Sequence, residues 1–356
     1  LTCSRQKNPI ARSGSVMTTF KLRIEPAGVE IPCSADGSLL DAALAAGYFP
    51  RHSCRRGQCN ACETRVVSGD VRYPDDFEPE GVRDGYVLSC QARCVTDVTI
   101  EAPEVASTAG QRIVQTGARV LDVDRVSADV ARVRLSVPPE SGFAFQAGQY
   151  VEVILRDGSR RSYSMANAPD ENGTIEWHVR AVPDGRFSNH VYRTLKQRDL
   201  LRIEGPFGTF MLRDTMAPII LLATGTGYAP IAAMLKTHSA KIVERGAVLY
   251  WGGARLADLY AHDEVHAWEQ VHPGFRFVPV LSGDEPGWTG RNGFAHEVVA
   301  ADFPDLSRHE VYACGNPLMV EAARHTFTQA NGLPTTSFFS DAFVTRFEHP
   351  IVEERA

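Results

Sequence analysis

The sequence predicts a multidomain α+β and α/β protein: a small α+β unit, a central antiparallel barrel and a C-terminal open parallel sheet. Three observations lead there: a cysteine-rich loop behind a short capped helix, a long series of short alternating strands, and a final change to continuous apolar strands separated by helices. The expected boundaries are 17–104, a linker at 105–112, 113–213 and 214–347, with a tail at 348–356. Residues 1–16 carry no apolar signal core and precede Met17, so they are expected to be a leader or a cloning remnant.

In the first unit, Phe20, Leu22 and Ile24 alternate with charged residues, and Val29 and Ile31 resume the alternation after Gly28, which reads as a hairpin. Ser38 can cap a helix with Asp41 at its third position, Leu39, Leu40, Ala43 and Leu44 as its apolar face and Gly47 as its stop. Cys54, Cys59 and Cys62 follow in a C-x4-C-x2-C spacing, ahead of strands at 63–67 and 98–100. With a fourth cysteine further on, this is the plant-type arrangement for a 2Fe-2S cluster, in which each iron takes two thiolates. Cys90 and Cys94 compete for the fourth place. A zinc site of Cys59, Cys62, Cys90 and Cys94 is the competing reading, but it leaves Cys54 idle. It also gives no reason for Gly57, Asn60 and Ala61, small residues that let backbone N–H groups approach bridging sulfides.

The barrel is expected from strands at 113–123, 130–137, 150–155, 161–165, 175–182 and 200–204, with turn signals such as Pro138-Pro139 and Asp157-Gly158 between them. One strand carries Arg161-Ser162-Tyr163-Ser164, and alternation puts Arg161 and Tyr163 on one side and Ser164 on the other unless the strand bends. At 182–188 a loop containing Gly185 runs into a helix whose free N–H groups could hold a pyrophosphate. Taken singly, a strand arginine and a serine at a helix start more often pair with neighbours or cap.

From residue 214 an apolar run at 218–222 leads through Thr224-Gly225-Thr226-Gly227 into a helix expected to open at Pro230. Strands at 247–251, 275–281 and 311–313 alternate with helices at 263–271 and 317–329, the pattern of an open parallel sheet. Gly225, Thr226 and Gly227 would let a dinucleotide pyrophosphate settle at a helix N-terminus, although the pattern is not G-x-G-x-x-G. Cys314-Gly315 ends a later strand, where parallel sheets place ligand contacts. After the second strand, Arg255 would suit a 2'-phosphate and Asp258 a free ribose diol, so the donor stays open on these residues. Phe338 and Phe339 read as core strand residues.

Residues 18–103 resemble the plant-type 2Fe-2S ferredoxin, a β-grasp fold, and its Leu-x-Cys-Gln setting, matched by Leu88 to Gln91, implies Cys90 as the fourth ligand. The R-x-Y-S strand, the G-x-x-S loop, the turn from Thr224 to Pro230 and the segment Cys314 to Met319 stand in the order of the ferredoxin-NADP reductase superfamily. From residue 18 to about 344, the chain resembles the reductase components of multicomponent aromatic-ring dioxygenases, such as those for benzoate or terephthalate. This resemblance implies that Arg161 neutralises an FAD phosphate, that Tyr163 lies against the flavin and that Ser164 approaches flavin N5. It implies that the backbone of His178, Val179 and Arg180 lines the flavin's pyrimidine edge and that Gly185, Phe187 and Ser188 hold the pyrophosphate, FAD being favoured over FMN by this extended loop. It further implies that Cys314 faces the nicotinamide C4, that Asp341 and Phe343 lie near the flavin, and that NADH is the donor, with NADPH the alternative.

The expected activity is electron transfer from NAD(P)H through FAD to the 2Fe-2S cluster and on to an oxygenase component. A flavin is required because nicotinamide delivers two electrons together while the cluster accepts one. The alternatives are a deoxysugar-pathway reductase of the CDP-glucoseen type and a redox-sensing binding protein. A net charge of -6 argues against a nucleic-acid partner, and no apolar run approaches the ~20 residues of a membrane span. Four of the eight cysteines are assigned to the cluster, leaving Cys3, Cys33, Cys94 and Cys314 as free thiols, which suits a reducing cytoplasm. The acidic residues Asp70, Asp75, Asp76, Glu78, Glu80 and Asp84 could form a docking face, a solvated loop being the plainer account.

Overall fold

The computed structural model describes residues 18–108, 111–170 and 172–343; the expected leader, the tail and Cys3 lie outside them. Among the described residues there are three main sheets, one in each expected unit, and a two-stranded ribbon.

The first sheet runs in the order Val29–Ser34, Thr19–Glu25, Val98–Glu101, Glu63–Ser68, Tyr86–Leu88. Its first and last long strands pair in parallel at the centre, so the two ends of the unit close its core. Leu22, Ile24, Ile31 and Ile100 meet Leu39 and Ala43 of the helix Leu39–Ala45 there. That helix is capped as its residues require: Ser38 Oγ accepts from Asp41 N at 3.0 Å and donates to the Asp41 carboxylate at 2.7 Å. Cys33 and Cys94 are both buried in this core, Cys94 on the ribbon Val71–Arg72 with Arg93–Cys94. Two- and three-residue strands are too short for a periodicity, which is why the ribbon and Tyr86–Leu88 escape sequence reading. The expected linker begins as a 3-10 turn, Pro103–Thr108, with Val105 wholly buried in the same core.

The second sheet is antiparallel, in the order Arg160–Ser164, Tyr150–Ile154, Leu200–Phe207, Val114–Arg125, Val130–Ser136, Thr174–Arg180. Its two outer strands do not pair, and the chain crosses between them through Met165 N to Gln149 O at 3.1 Å and Ala166 N to Glu176 O at 2.8 Å. The barrel is therefore open along the edge that carries Arg161, Tyr163 and Ser164. Inside it, Val133, Val151, Ile175, Trp177 and Ile203 are wholly buried.

The third sheet is parallel throughout, in the order Arg291–Asn292, Arg276–Leu281, Val248–Gly253, Ile219–Thr224, Glu310–Gly315, Phe338–Ala342. The strand Ile219–Thr224 has its sequence neighbour on one side and a late strand on the other. Such a reversal leaves a crevice at the carboxyl ends. The helix after it begins at Tyr228, following a 3-10 turn Gly225–Gly227, and not at Pro230. Pro230 sits in the first turn, where a missing N–H breaks no intrahelical bond. Helices His262–Val271 and Pro317–Gln329 agree with expectation, while the short Ser239–Glu244 and Ala295–Asp302 were not anticipated. No described helix is long and apolar enough to cross a membrane.

Candidate functional site

A cavity of about 460 Å³ opens where the gap in the barrel meets the carboxyl ends of the parallel sheet. Arg161, Tyr163 and Ser164 all line it, although alternation alone would part them. Their strand is hydrogen-bonded on one side only, so the cavity wraps round its free edge. The Tyr163 ring stacks on Trp177 at 5.5 Å and is tilted against Phe187 at 5.1 Å, so Tyr163 and Phe187 give the cavity an aromatic wall with Trp177 behind it; burial raises the Tyr163 phenol above the usual range.

Gly185 caps the eight-residue helix Arg186–Arg193, whose first turn faces the same cavity. A Cβ on Gly185 would stand 2.4 Å from Ser188 Oγ, so only glycine lets the loop fold this tightly. Ser188 Oγ is taken up inside the loop, accepting from Val182 N at 3.2 Å, which leaves backbone N–H groups as the donors available to an anion. Arg180 Nη2, buried at the cavity, has no hydrogen-bond partner among the described residues. An aromatic wall, a glycine cradle and an unspent guanidinium donor fit a flavin with a pyrophosphate tail.

His178 is buried, with Nδ1 2.7 Å from Tyr260 OH and Nε2 3.2 Å from Glu176 Oε1. Burial lowers its pKa, against the pull of Glu176. Burial would raise Glu176, but the hydrogen bond from His178 and the charges of His178, Lys236 and Arg132 hold it at about 2. Val179 faces the barrel core, so it meets the cavity through its backbone at most.

On the parallel-sheet side, Thr226 and Phe343 line the cavity, and Phe343 N is anchored to Gly315 O at 2.8 Å. Gly225 has φ +53°, and a Cβ there would come within 2.9 Å of Arg180. Gly227 and Gly315 serve backbone approach. A Cβ on Gly227 would lie 2.2 Å from Cys314 O, and one on Gly315, at φ +127°, 2.4 Å from Thr224 Oγ1. Cys314 is wholly buried in the core behind this turn and not on the cavity wall; burial raises its thiol well above the usual range, so it is neutral. Arg255 and Asp258 lie after the second strand, away from the cavity wall. The Asp258 carboxylate accepts from Ala254 N and Arg255 N, both at 2.9 Å, and is occupied as a loop cap, while the Arg255 side chain is exposed.

The cysteines fall into two pairs. Cys62 and Cys90 sulfurs are 3.3 Å apart, and Cys54 interacts directly with Cys59. Among the described residues no three His, Cys, Asp or Glu side chains converge on a single ion position, as a tetrahedral zinc site requires. Two pairs suit two irons. Arg56 N points at Cys54 Sγ from 3.4 Å, joined by the N–H groups of Gln58 and Cys59, and Gly57 N–H points at Cys90. Arg55 and Asn60 have positive φ, 57° and 51°, as the loop winds its amides inward. These residues fit a 2Fe-2S cluster.

Cys54 also lines the 460 Å³ cavity, together with Ser53 and Arg56. Ser53 Oγ donates to Asp341 at 2.5 Å, and Ser164 Oγ donates to the other oxygen of Asp341 at 3.4 Å, so one carboxylate joins the cysteine loop to the cavity wall. Burial first, and then the Cys54 charge, push Asp341 up to about 6 against the pull of the two serines. Tyr150 OH donates to Ser53 O at 2.6 Å, and His52 receives Gly208 N on Nε2 at 2.9 Å. Tyr150 and Ser53 were missed in the sequence. They lie 97 residues apart, and neither belongs to a motif.

Three family models match in succession: a 2Fe-2S iron-sulfur cluster binding domain over residues 22–95, an oxidoreductase FAD-binding domain over 117–212 and an oxidoreductase NAD-binding domain over 221–325. The chain is similar to a CDP-6-deoxy-L-threo-D-glycero-4-hexulose-3-dehydrase reductase of Yersinia pseudotuberculosis, 38% identical over 92% of this chain and 99% of that protein. A terephthalate 1,2-dioxygenase reductase component of Comamonas is 34% identical over 91% and 97%. Among solved structures, an Amycolatopsis cytochrome P450 reductase superposes with TM-score 0.75 at 34% identity, covering 92% of this chain and 99% of that one. The paired cysteines, the aromatic cavity and the parallel sheet thus occur in the order of these proteins, and the chain belongs to the iron–sulfur flavoprotein reductases, in which a 2Fe-2S domain precedes FAD-binding and NAD-binding oxidoreductase domains.

Proposed function

We propose that this reductase takes its electrons from NADH and delivers them to a separate protein, the oxygenase component of an aromatic-ring-hydroxylating system. The observation that carries the route is the Ser164–Asp341–Ser53 connection, which runs from the cavity wall to the residue beside Cys54. FAD and the cluster, when bound, supply the change from paired to single electrons. The chain's own residues bind and orient. In this reading Arg161 and Arg180 answer the phosphate charge, Gly185 and the first turn of Arg186–Arg193 cradle the pyrophosphate, and Tyr163 backs the ring system. Ser164 stands at the reacting edge, and Gly225 to Gly227 with Gly315 open room for the nicotinamide half of the donor. The exposed Arg255 leaves NADPH usable as a second donor.

Relatives named as reductases of terephthalate dioxygenase, of an aromatic O-demethylase and of propane 2-monooxygenase support an oxygenase as acceptor. The 38% identity to the hexulose-dehydrase reductase supports a second acceptor class, a deoxysugar dehydrase. Reconstitution separates them. With NADH, the purified protein is expected to drive product formation by an aromatic oxygenase component; product from a hexulose dehydrase alone would assign the second class. Failure to reduce cytochrome c or a dye with NADH would remove both and leave redox sensing.

A further inference from the structure

Buried charge in this fold is ordinarily paired. Arg245 and Glu310 meet at 2.6 Å with side chains 1% and 7% exposed, and Tyr312 OH and Thr215 Oγ1 donate to the same carboxylate. Arg51, Arg213 and Arg324, each half-buried, are arranged differently. One comes from each unit: Arg51 opens the cysteine loop, Arg213 follows the barrel, and Arg324 lies on Pro317–Gln329. Arg213 and Arg51 sit over the Phe339 ring at 4.8 and 5.3 Å, and Arg324 over Phe338 at 4.7 Å. Arg51 donates to Phe338 O, and Arg324 to Ser340 Oγ at 2.9 Å. None of the three has a carboxylate at ion-pair distance among the described residues, and Arg213 Nε and Nη2 are buried without any hydrogen-bond partner there.

Aromatic faces offset part of such a charge, and Glu104 near Arg51 and Glu63 and Glu321 near Arg324 offset more, but among the described residues none of these carboxylates closes an ion pair with the group. Burial, and then Arg324, push Arg51 down to about 10, with Glu104 and Cys59 acting the other way, so it keeps its proton at neutral pH. The cysteine loop is one neighbour of the group, since Arg51 opens it. Cys59 packs against the apolar core that includes Phe338 and Val320, Ala323 and Phe327 of Pro317–Gln329, the helix that carries Arg324.

We propose that Arg51 and Arg324, supported by Arg213, are the counter-charge of the 2Fe-2S cluster on its Cys59 side and set the potential at which it accepts an electron. Transfer moves one electron from the reduced flavin to the cluster and breaks no bond. A cluster held by four thiolates is negative and becomes more so by one unit on reduction, so fixed cations favour the reduced form. Half-buried, they act more strongly than they would at the open surface. Because the cations come from different units, this potential belongs to the docked arrangement. The inference rests on Cys54, Cys59, Cys62 and Cys90 as the ligands.

An EPR-monitored redox titration of the holoenzyme tests it. Arg324→Gln keeps a donor for Ser340 and removes the charge; the cluster midpoint is expected to fall while the flavin midpoint and the rate of flavin reduction by NADH stay unchanged. Arg324→Lys is expected to restore the wild-type cluster value, and Arg51→Gln to shift it in the same direction as Arg324→Gln. An unchanged cluster midpoint in Arg324→Gln, or an equal fall in Arg324→Lys, overturns the proposal. If Arg51→Gln loses its cluster on purification, the partly exposed Arg324 decides alone. A wild-type holoenzyme with no reduced-cluster EPR signal would instead overturn the ligand assignment and, with it, this inference.

Discussion

Asp341 is a carboxylate in a place where a carboxylate is costly. Its pKa of about 6 stands above the ~3.9 of an unfolded aspartate, so the native state holds the proton more tightly. By linkage, its contribution to stability is full below the unfolded value and is lost as the pH rises through 6. The shift corresponds to about 3 kcal/mol at most above pH 7. Asp341→Asn retains an acceptor for Ser53 and is expected to raise the thermal midpoint at pH 7.5, with the gain shrinking as the pH falls toward 5; calorimetry across that range reads it. A gain that grows on acidification would contradict the assignment. At this scale sequence reading placed Asp341 and Phe343 near the flavin but did not link Asp341 to Ser53, because a hydrogen bond across 288 residues leaves no spacing to read.

Whether an element was legible depended on its length and its signals. Pro317–Gln329 was readable to the residue, with Asn316 capping Leu318 N and proline at the first position. The 3-10 turn Gly225–Gly227 was readable as a glycine turn but not in its geometry. It packs backbone to backbone against the end of Glu310–Gly315, and a Cβ on Gly227 would also lie 2.7 Å from Gly315 Cα. Gly227→Ala must push two strand ends apart, at a cost of about 1–3 kcal/mol, much of it expressed where the donor binds. The expected outcome is a KM for NADH raised roughly tenfold, the equivalent of about 1.4 kcal/mol, with FAD and cluster content unchanged in absorbance spectra. Unaltered NADH kinetics would separate this turn from donor binding.

Across the whole molecule, electron transfer depends on the cysteine loop resting against the barrel. Tyr150 OH holds Ser53 O, His52 N donates to Thr209 Oγ1 at 3.0 Å, and Thr209 N returns to His52 O at 3.2 Å. Both His52 nitrogens are satisfied, Nδ1 2.7 Å from Pro50 O and Nε2 accepting from Gly208 N, and burial lowers its pKa to about 4, so it stays neutral and does not titrate near neutrality. Tyr150→Phe removes one contact worth about 1 kcal/mol. Stopped-flow mixing with NADH is expected to show flavin reduction at the wild-type rate and cluster reduction slowed severalfold; equal slowing of both phases would place Tyr150 in flavin binding instead. By itself the sequence determined the three kinds of unit and their order, because short-range spacing and periodicity encode strands, helices and caps, while the choice of Cys90 and of the residues expected at the flavin rested on family resemblance. Tertiary structure alone decided that Asp341 bridges two serines, that Asp258 caps its own loop and that cations from three units gather over the rings of Phe338 and Phe339, since such meetings depend on how separately folded surfaces are brought together.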